Sequence, residues 1–178
     1  MTDERTDHLI AKTECYLEEK KNKKAAQSAK DLTEIDPKDA IVWYVKGKVH
    51  YMMDEFDEAL SALSRAATID AERPEIWLVM GYTLVALRRY DEAKQSLEYV
   101  VAVQPGHVEA NSAMCILSII LGDGSAAKGY FEKAMQLNKK TASKMLNYFY
   151  KNFISPSNAV NEKTKEAIEG MFKQAGIK

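Results

Sequence analysis

Residues 40–73 read AIVWYVKGKVHYMMDEFDEALSALSRAATIDAER, and residues 74–107 read PEIWLVMGYTLVALRRYDEAKQSLEYVVAVQPGH. Laid one over the other without a gap, Trp43 falls on Trp77, Gly47 on Gly81 and Phe56 on Tyr90. Asp57-Glu58-Ala59 falls on Asp91-Glu92-Ala93, and Leu63 on Leu97, each at an offset of 34. A fixed period of this length marks a chain built from stacked supersecondary units. The same ruler carried forward puts Ala127, Phe131 and Ala134 in the places of Ala59, Leu63 and Ala66. Carried backward, it puts Ala25, Ala29 and Leu32 there, with Asp36-Pro37 in the closing turn.

Within a unit the apolar spacing is helical. Trp43, Gly47 and His50 stand at i, i+4 and i+7, one face of a first helix. Phe56, Ala59, Leu63 and Ala66 repeat that spacing on a second. No stretch shows the strict alternation of a half-buried strand. Asp57 and Asp91 open the second helices, where a carboxylate suits the free amide N–H groups. Gly47, Gly81 and Cys115 share one position. Glycine inside a helix costs about 0.8–1 kcal/mol against alanine, so its recurrence reads as close approach of two helix backbones. The expected organisation is a tail over 1–5, units over 6–39, 40–73, 74–107 and 108–141, and a C-terminal part over 142–178. That last part has an aromatic capping helix across residues 144–154, a break at Ser155-Pro156-Ser157, and an amphipathic helix over 158–174. Val160, Thr164, Ala167, Ile168, Met171 and Phe172 share a face of that helix.

A helix–turn–helix of 34 residues, with an aromatic fourth, glycine eighth, alanine twentieth and proline near the close, resembles the tetratricopeptide repeat. Trp77, Met80, Gly81, Leu84, Tyr90, Ala93, Leu97 and Pro105 carry the likeness through one unit, with Val100 where alanine is usual. The first and last units depart from it, with Leu9, Thr13 and Asn22 in one and Asn111 and Gly124 in the other. The resemblance implies an all-α fold, a right-handed α-solenoid of helix–turn–helix repeats with C-terminal capping helices.

It also implies a concave groove lined by the second, fifth, ninth, twelfth and thirteenth positions of each first helix. On this chain the expected partner-binding groove is Tyr44, Lys48, Tyr51, Met52, Leu78, Tyr82, Val85, Ser112, Ile116 and Ile119. Ile41, Glu75, Ala86, Glu109 and Ile120 complete these positions, and the first unit supplies the more polar Asp7, Ile10, Glu14, Leu17 and Glu18. Such a groove suits an amphipathic helix or an extended apolar segment of a protein partner. A clamp for acidic chaperone tails would need Lys or Arg, Asn, Asn and two further bases. This chain has Ile10, Glu14, Val45, Glu75 and Val79 in one frame, and Tyr44, Lys48, Val79, Glu109 and Ala113 in the other. The expected function is therefore a protein-interaction scaffold that is not a carboxylate clamp. The alternative is a homodimeric module whose groove is filled by its own or a neighbour's C-terminal helix, since a long apolar patch needs a cover.

Composition narrows the rest. Of 178 residues 46% are hydrophobic and 29% charged, with a net charge of −1, too apolar for a disordered chain and too neutral for a nucleic-acid backbone binder. The basic run Lys20-Lys21-Asn22-Lys23-Lys24 follows Glu18-Glu19 and reads as a solvated turn. Cys15 and Cys115 form no metal-ligand spacing with His8, His50 or His107 and read as small apolar fillers. No phosphate loop or nucleophile elbow is present, so no enzyme activity and no cofactor is expected. The longest apolar run, residues 114–121, falls short of the roughly 20 residues a membrane span needs, and no apolar leader follows Met1-Thr2-Asp3-Glu4-Arg5. A cytoplasmic location without membrane or nucleic-acid partners is the expectation.

Overall fold

The computed structural model describes residues 4–156 and 160–177. The expected tail therefore lies partly outside the described residues, and Glu4 and Arg5 already belong to the first helix. Ser157 and Asn158, where the chain was expected to leave one helix and enter the last, also lie outside. Among the described residues the chain forms nine α-helices, one π-helical turn and no strand, the all-α helical-repeat class expected. It divides into two compact units, residues 1–89 and 90–178.

The first unit holds α1 (Glu4–Glu18), α2 (Asn22–Ile35), α3 (Ala40–Met52), α4 (Phe56–Ile69) and α5 (Pro74–Ala86). Each helix packs on the next, and α1 also touches α3, as α3 touches α5. The first helices of successive repeats thus form one layer, with α2 and α4 wedged behind it. Leu32, Val42 and Val45 centre one part of the core, with Leu9, Ile10, Ile41 and Tyr44 packed on it. Leu17, Ala25, Ala29 and Val49 centre another. Cys15 is exposed rather than an apolar filler: α1, the first helix described, packs on α2 and α3, whereas Val49, its counterpart 34 residues on, lies on a helix packed by α1, α2, α4 and α5 and is buried.

The turns repeat as faithfully as the helices. Lys20, Asp54, Arg88 and Gly122 all have positive φ, 55°, 60°, 59° and 78°. At each, two backbone bonds close the helix end, as in Lys20 N–H to Leu17 C=O and Lys21 N–H to Tyr16 C=O, both 2.8–3.0 Å. The pattern is a Schellman cap, which satisfies carbonyls that the helix leaves free. Trp43 donates its indole N–H to Pro37 C=O at 2.8 Å, and Trp77 to Ala71 C=O at 2.7 Å.

The second unit holds α6 (Tyr90–Val103), α7 (Val108–Ile120), α8 (Gly124–Phe149), the π-helical turn Tyr150–Ile154 and α9 (Glu162–Ala175). Asn111 stands where the tryptophans stand and makes their hydrogen bond, from Nδ2 to Pro105 C=O at 3.1 Å. α8 is bent at Asn138, whose backbone is extended (φ −158°, ψ 97°). Asn138 Oδ1 accepts from Thr141 N–H at 3.0 Å, so it caps a helix that restarts at once, where Pro37 and Pro105 open a longer turn. The π-helical turn packs on α7 and α8. Asn161 caps α9 through Thr164 N–H at 2.9 Å. Phe172 of α9 stacks on Phe131 at 6.4 Å and meets Tyr150 edge-on at 5.6 Å.

Candidate partner-binding face

In the first unit α3 and α5 carry six of the expected groove residues, with graded exposure. Met52 is 52% exposed. Tyr44, Lys48, Tyr51 and Leu78 are half-buried, and Tyr82 is buried. Tyr51 stands between Phe56 and Tyr82, with ring centroids 5.9 and 6.3 Å away. This separation is within the range of favourable aromatic pairs. The three rings make a continuous aromatic floor, and Met52, next to Tyr51 in sequence, is the most exposed of the six. Val85, also expected here, is 4% exposed and belongs to the core.

The polar groups of this face are acidic. Lys48 Nζ bonds Glu14 Oε1 at 3.1 Å across α1 and α3. Glu75 at the start of α5 is exposed. Burial, reinforced by the charges of Glu14 and Glu75, pushes the Tyr44 hydroxyl up to about 12. Asp7, Glu14 and Glu18 follow one another at i, i+7 and i+11, on one stripe of α1. The reading of single positions identified these residues but not the Glu14–Lys48 pair. Its one sequence signal is that the two stand 34 apart, at the same place in successive units.

The second unit treats its expected residues differently. Ser112 and Ile116 are buried and Ile119 is half-buried. Nine successive residues of α7, Ala110 to Ser118, are buried, because α6, α8 and the π-helical turn all pack against that helix. α8 and the π-helical turn pack on α7, while Phe172 of α9 lies against Phe131 and Tyr150.

Two of the three histidines, His50 and His107, serve helix ends. His50 Nδ1 is 2.7 Å from Glu55 Oε2, joining the two residues that flank the Asp54 cap. His107 Nδ1 accepts from Ala110 N–H at 3.3 Å, which caps α7. Burial pushes the Cys115 thiol up to about 12. Among the described residues, no group of three His, Cys, Asp or Glu side chains is placed to hold a metal ion, and no helix is long and apolar enough to cross a membrane.

Comparison with known proteins follows this geometry. A family model described as tetratricopeptide repeat matches residues 16–81 and 50–114, more than half of the chain. The chain is 24% identical over 117 residues to the peroxisomal targeting signal receptor of Saccharomyces cerevisiae, a match covering 66% of this chain but 19% of that protein. It thus spans about a fifth of that relative's length. A structure from a functional characterisation of Pseudomonas aeruginosa pilF is similar with a TM-score of 0.74 and 23% identity, over 98% of this chain and 78% of that one. The first repeat domain of Spaghetti (RPAP3), bound to the HSP90 peptide SRMEEVD, is similar with a TM-score of 0.65 and 20% identity, over 68% of this chain and 99% of that one. At these identities the likeness shows the fold.

Proposed function

The chain belongs to the tetratricopeptide repeat family, and from that premise we propose that it is a protein-interaction module without catalytic activity. Its partner segment lies across the α1–α3–α5 face of the first unit. The observation that carries this reading is the aromatic floor of Tyr51, Phe56 and Tyr82 with Tyr44, Met52 and Leu78 left partly or well exposed on α3 and α5. Rigid aromatics and an adaptable methionine are the side chains that anchor a partner at low entropic cost. The relative from S. cerevisiae is a receptor for a targeting signal, and the RPAP3 domain holds a peptide, so peptide recognition is the mode carried over here. The acidic HSP90 tail is not carried over. Glu14 engages the one ammonium of the face, and Glu75 and Val79 stand where further basic side chains would be needed.

A photo-crosslinking residue placed at Met52, with a control at the exposed Ser61 of α4, tests the reading in lysate. Adducts formed from position 52, absent from position 61 and suppressed by excess unmodified protein, are the expected result. No adduct, or the same set from both positions, would count against the face.

A further inference from the structure

The charges around the aromatic floor say what kind of segment fits it. Across the groove-lining positions of the first unit, Asp7, Glu14, Glu18 and Glu75 set four carboxylates against the single ammonium of Lys48. The whole chain carries only −1, so this face is far more acidic than the molecule. Glu14 and Glu75 come from two different helices, Glu14 bonded to Lys48 Nζ at 3.1 Å and Glu75 exposed at the start of α5. An acidic segment would meet like charges there. A neutral one would leave Asp7, Glu18 and Glu75 without a counter-charge as water is excluded, while Glu14 keeps Lys48.

We propose that the α1–α3–α5 face takes a basic amphipathic segment of a partner protein, one that sets a lysine or arginine three or four residues from a leucine or aromatic side chain. The apolar residue sits on Tyr51, Met52 and Leu78. The cation reaches the carboxylates of Glu75 and Glu14 and the ring of Tyr44, which attracts it further. Glu18 and Asp7 extend the acidic edge along α1 for a second cation. This assignment rests on the binding face proposed above and names the chemistry of its occupant. Opposite charge raises the rate of encounter and rejects wrong partners more than it adds affinity, and its contribution weakens with salt.

The test uses the full chain and three synthetic helical peptides sharing one leucine–tyrosine stripe and carrying lysine, glutamine or glutamate beside it. Binding is followed by fluorescence anisotropy at low and high salt. The lysine peptide is expected to bind about tenfold tighter than the glutamine peptide at low salt, and the preference to shrink at high salt. The glutamate peptide should be weaker still. Glu75→Lys should remove most of the preference, and Glu75→Gln part of it. Equal far-UV circular dichroism establishes that these exposed substitutions leave the helices intact. Equal binding of all three peptides, provided Met52→Asp weakens each, would overturn the charge assignment and leave the binding face standing. Binding by none, or binding that Met52→Asp does not alter, would overturn the face and the assignment together. A dimer in sedimentation that the lysine peptide cannot dissociate, and that Met52→Asp does, would replace the partner segment with a second copy of the chain.

Discussion

A Cβ placed on Gly47 would stand 2.6 Å from Leu63 Cγ, 2.9 Å from its Cδ2 and 3.2 Å from the Ala59 carbonyl oxygen. Unbonded carbons rest near 3.5–4.0 Å, and Leu63 is fully buried, so neither side can give way cheaply. Gly47→Ala gains about 1 kcal/mol of helix propensity but overpacks the core at about 1–3 kcal/mol. A net loss of up to about 2 kcal/mol in urea denaturation is expected. Leu63→Ala leaves a cavity on its own, yet the double variant should lose less than the two single losses added, because the clash is gone. Strict additivity would show that the glycine is not held by Leu63. The recurrence of a small residue here was legible in the sequence, but the meaning of Thr13 at the same place was not. Residues 13 and 29 are the counterparts of 47 and 63, and Ala29 in place of leucine leaves room for the threonine. Thr13 Oγ1 then donates to Leu9 C=O at 2.7 Å, and Ser28 Oγ, 2.6 Å away, shares a second bond with it. A departure judged one position at a time becomes a compensated pair once the helix opposite is known.

At the scale of the helix, each first helix of a repeat ends in a left-handed residue, and one of the four is glycine. The left-handed conformation costs an ordinary residue about 1–2 kcal/mol through its Cβ, partly offset because glycine is the more flexible residue when unfolded. Arg88→Gly is therefore expected to stabilise by about 0.5–1 kcal/mol, and Gly122→Ala to destabilise by about 1 kcal/mol. In a chain of this size these are shifts of about 2–4 °C in Tm, upward and downward, readable by thermal circular dichroism. Shifts of the same sign would show that the caps are not what sets the effect. Helix type and period were legible because apolar spacing and the turn residues agree. The end of α8 was less so. The chain bends at Asn138, in the place of Asp36 and Gln104, but the helix that restarts there runs on to Phe149. The difference lies in Asn138-Lys139-Lys140 where other repeats have Asp36-Pro37 or Gln104-Pro105. Without proline or glycine the chain restarts its helix under an asparagine cap. The aromatic density after Ala142 marked a capping segment, but its close in a π-helical turn packed on α7 depends on tertiary contacts that no local pattern encodes.

For the whole molecule, the candidate site was legible only as far as family positions say which way a side chain points. They do not say what lies over it. Tyr44, Lys48, Tyr51, Met52 and Leu78 keep some exposure among the described residues. Ser112 and Ile116, at equivalent positions, are buried under packing on α7. Likewise a net charge of −1 gave no sign that one face holds four carboxylates. Burial and local charge together also predict how stability depends on pH. Burial pushes up Tyr44, with Glu14 and Glu75 adding to it, and pushes up Tyr150, with the hydrogen bond to Glu169 at 2.5 Å adding to it, each to about 12. An unfolded tyrosine ionises near about 10. Between those values the unfolded chain has lost protons that the folded chain retains, so stability falls as pH rises through the window. Below about pH 10 both states are protonated and this contribution is fully present. The urea midpoint is thus expected to drop between about pH 10 and pH 12. Lysines also lose charge in that range, so the comparison that isolates the tyrosines is Tyr44→Phe with Tyr150→Phe. The pair should lower stability at neutral pH, through loss of the Glu169 bond, and flatten the alkaline fall. A fall as steep as in the unaltered chain would mean that the lysines, not these two buried hydroxyls, govern the alkaline limit.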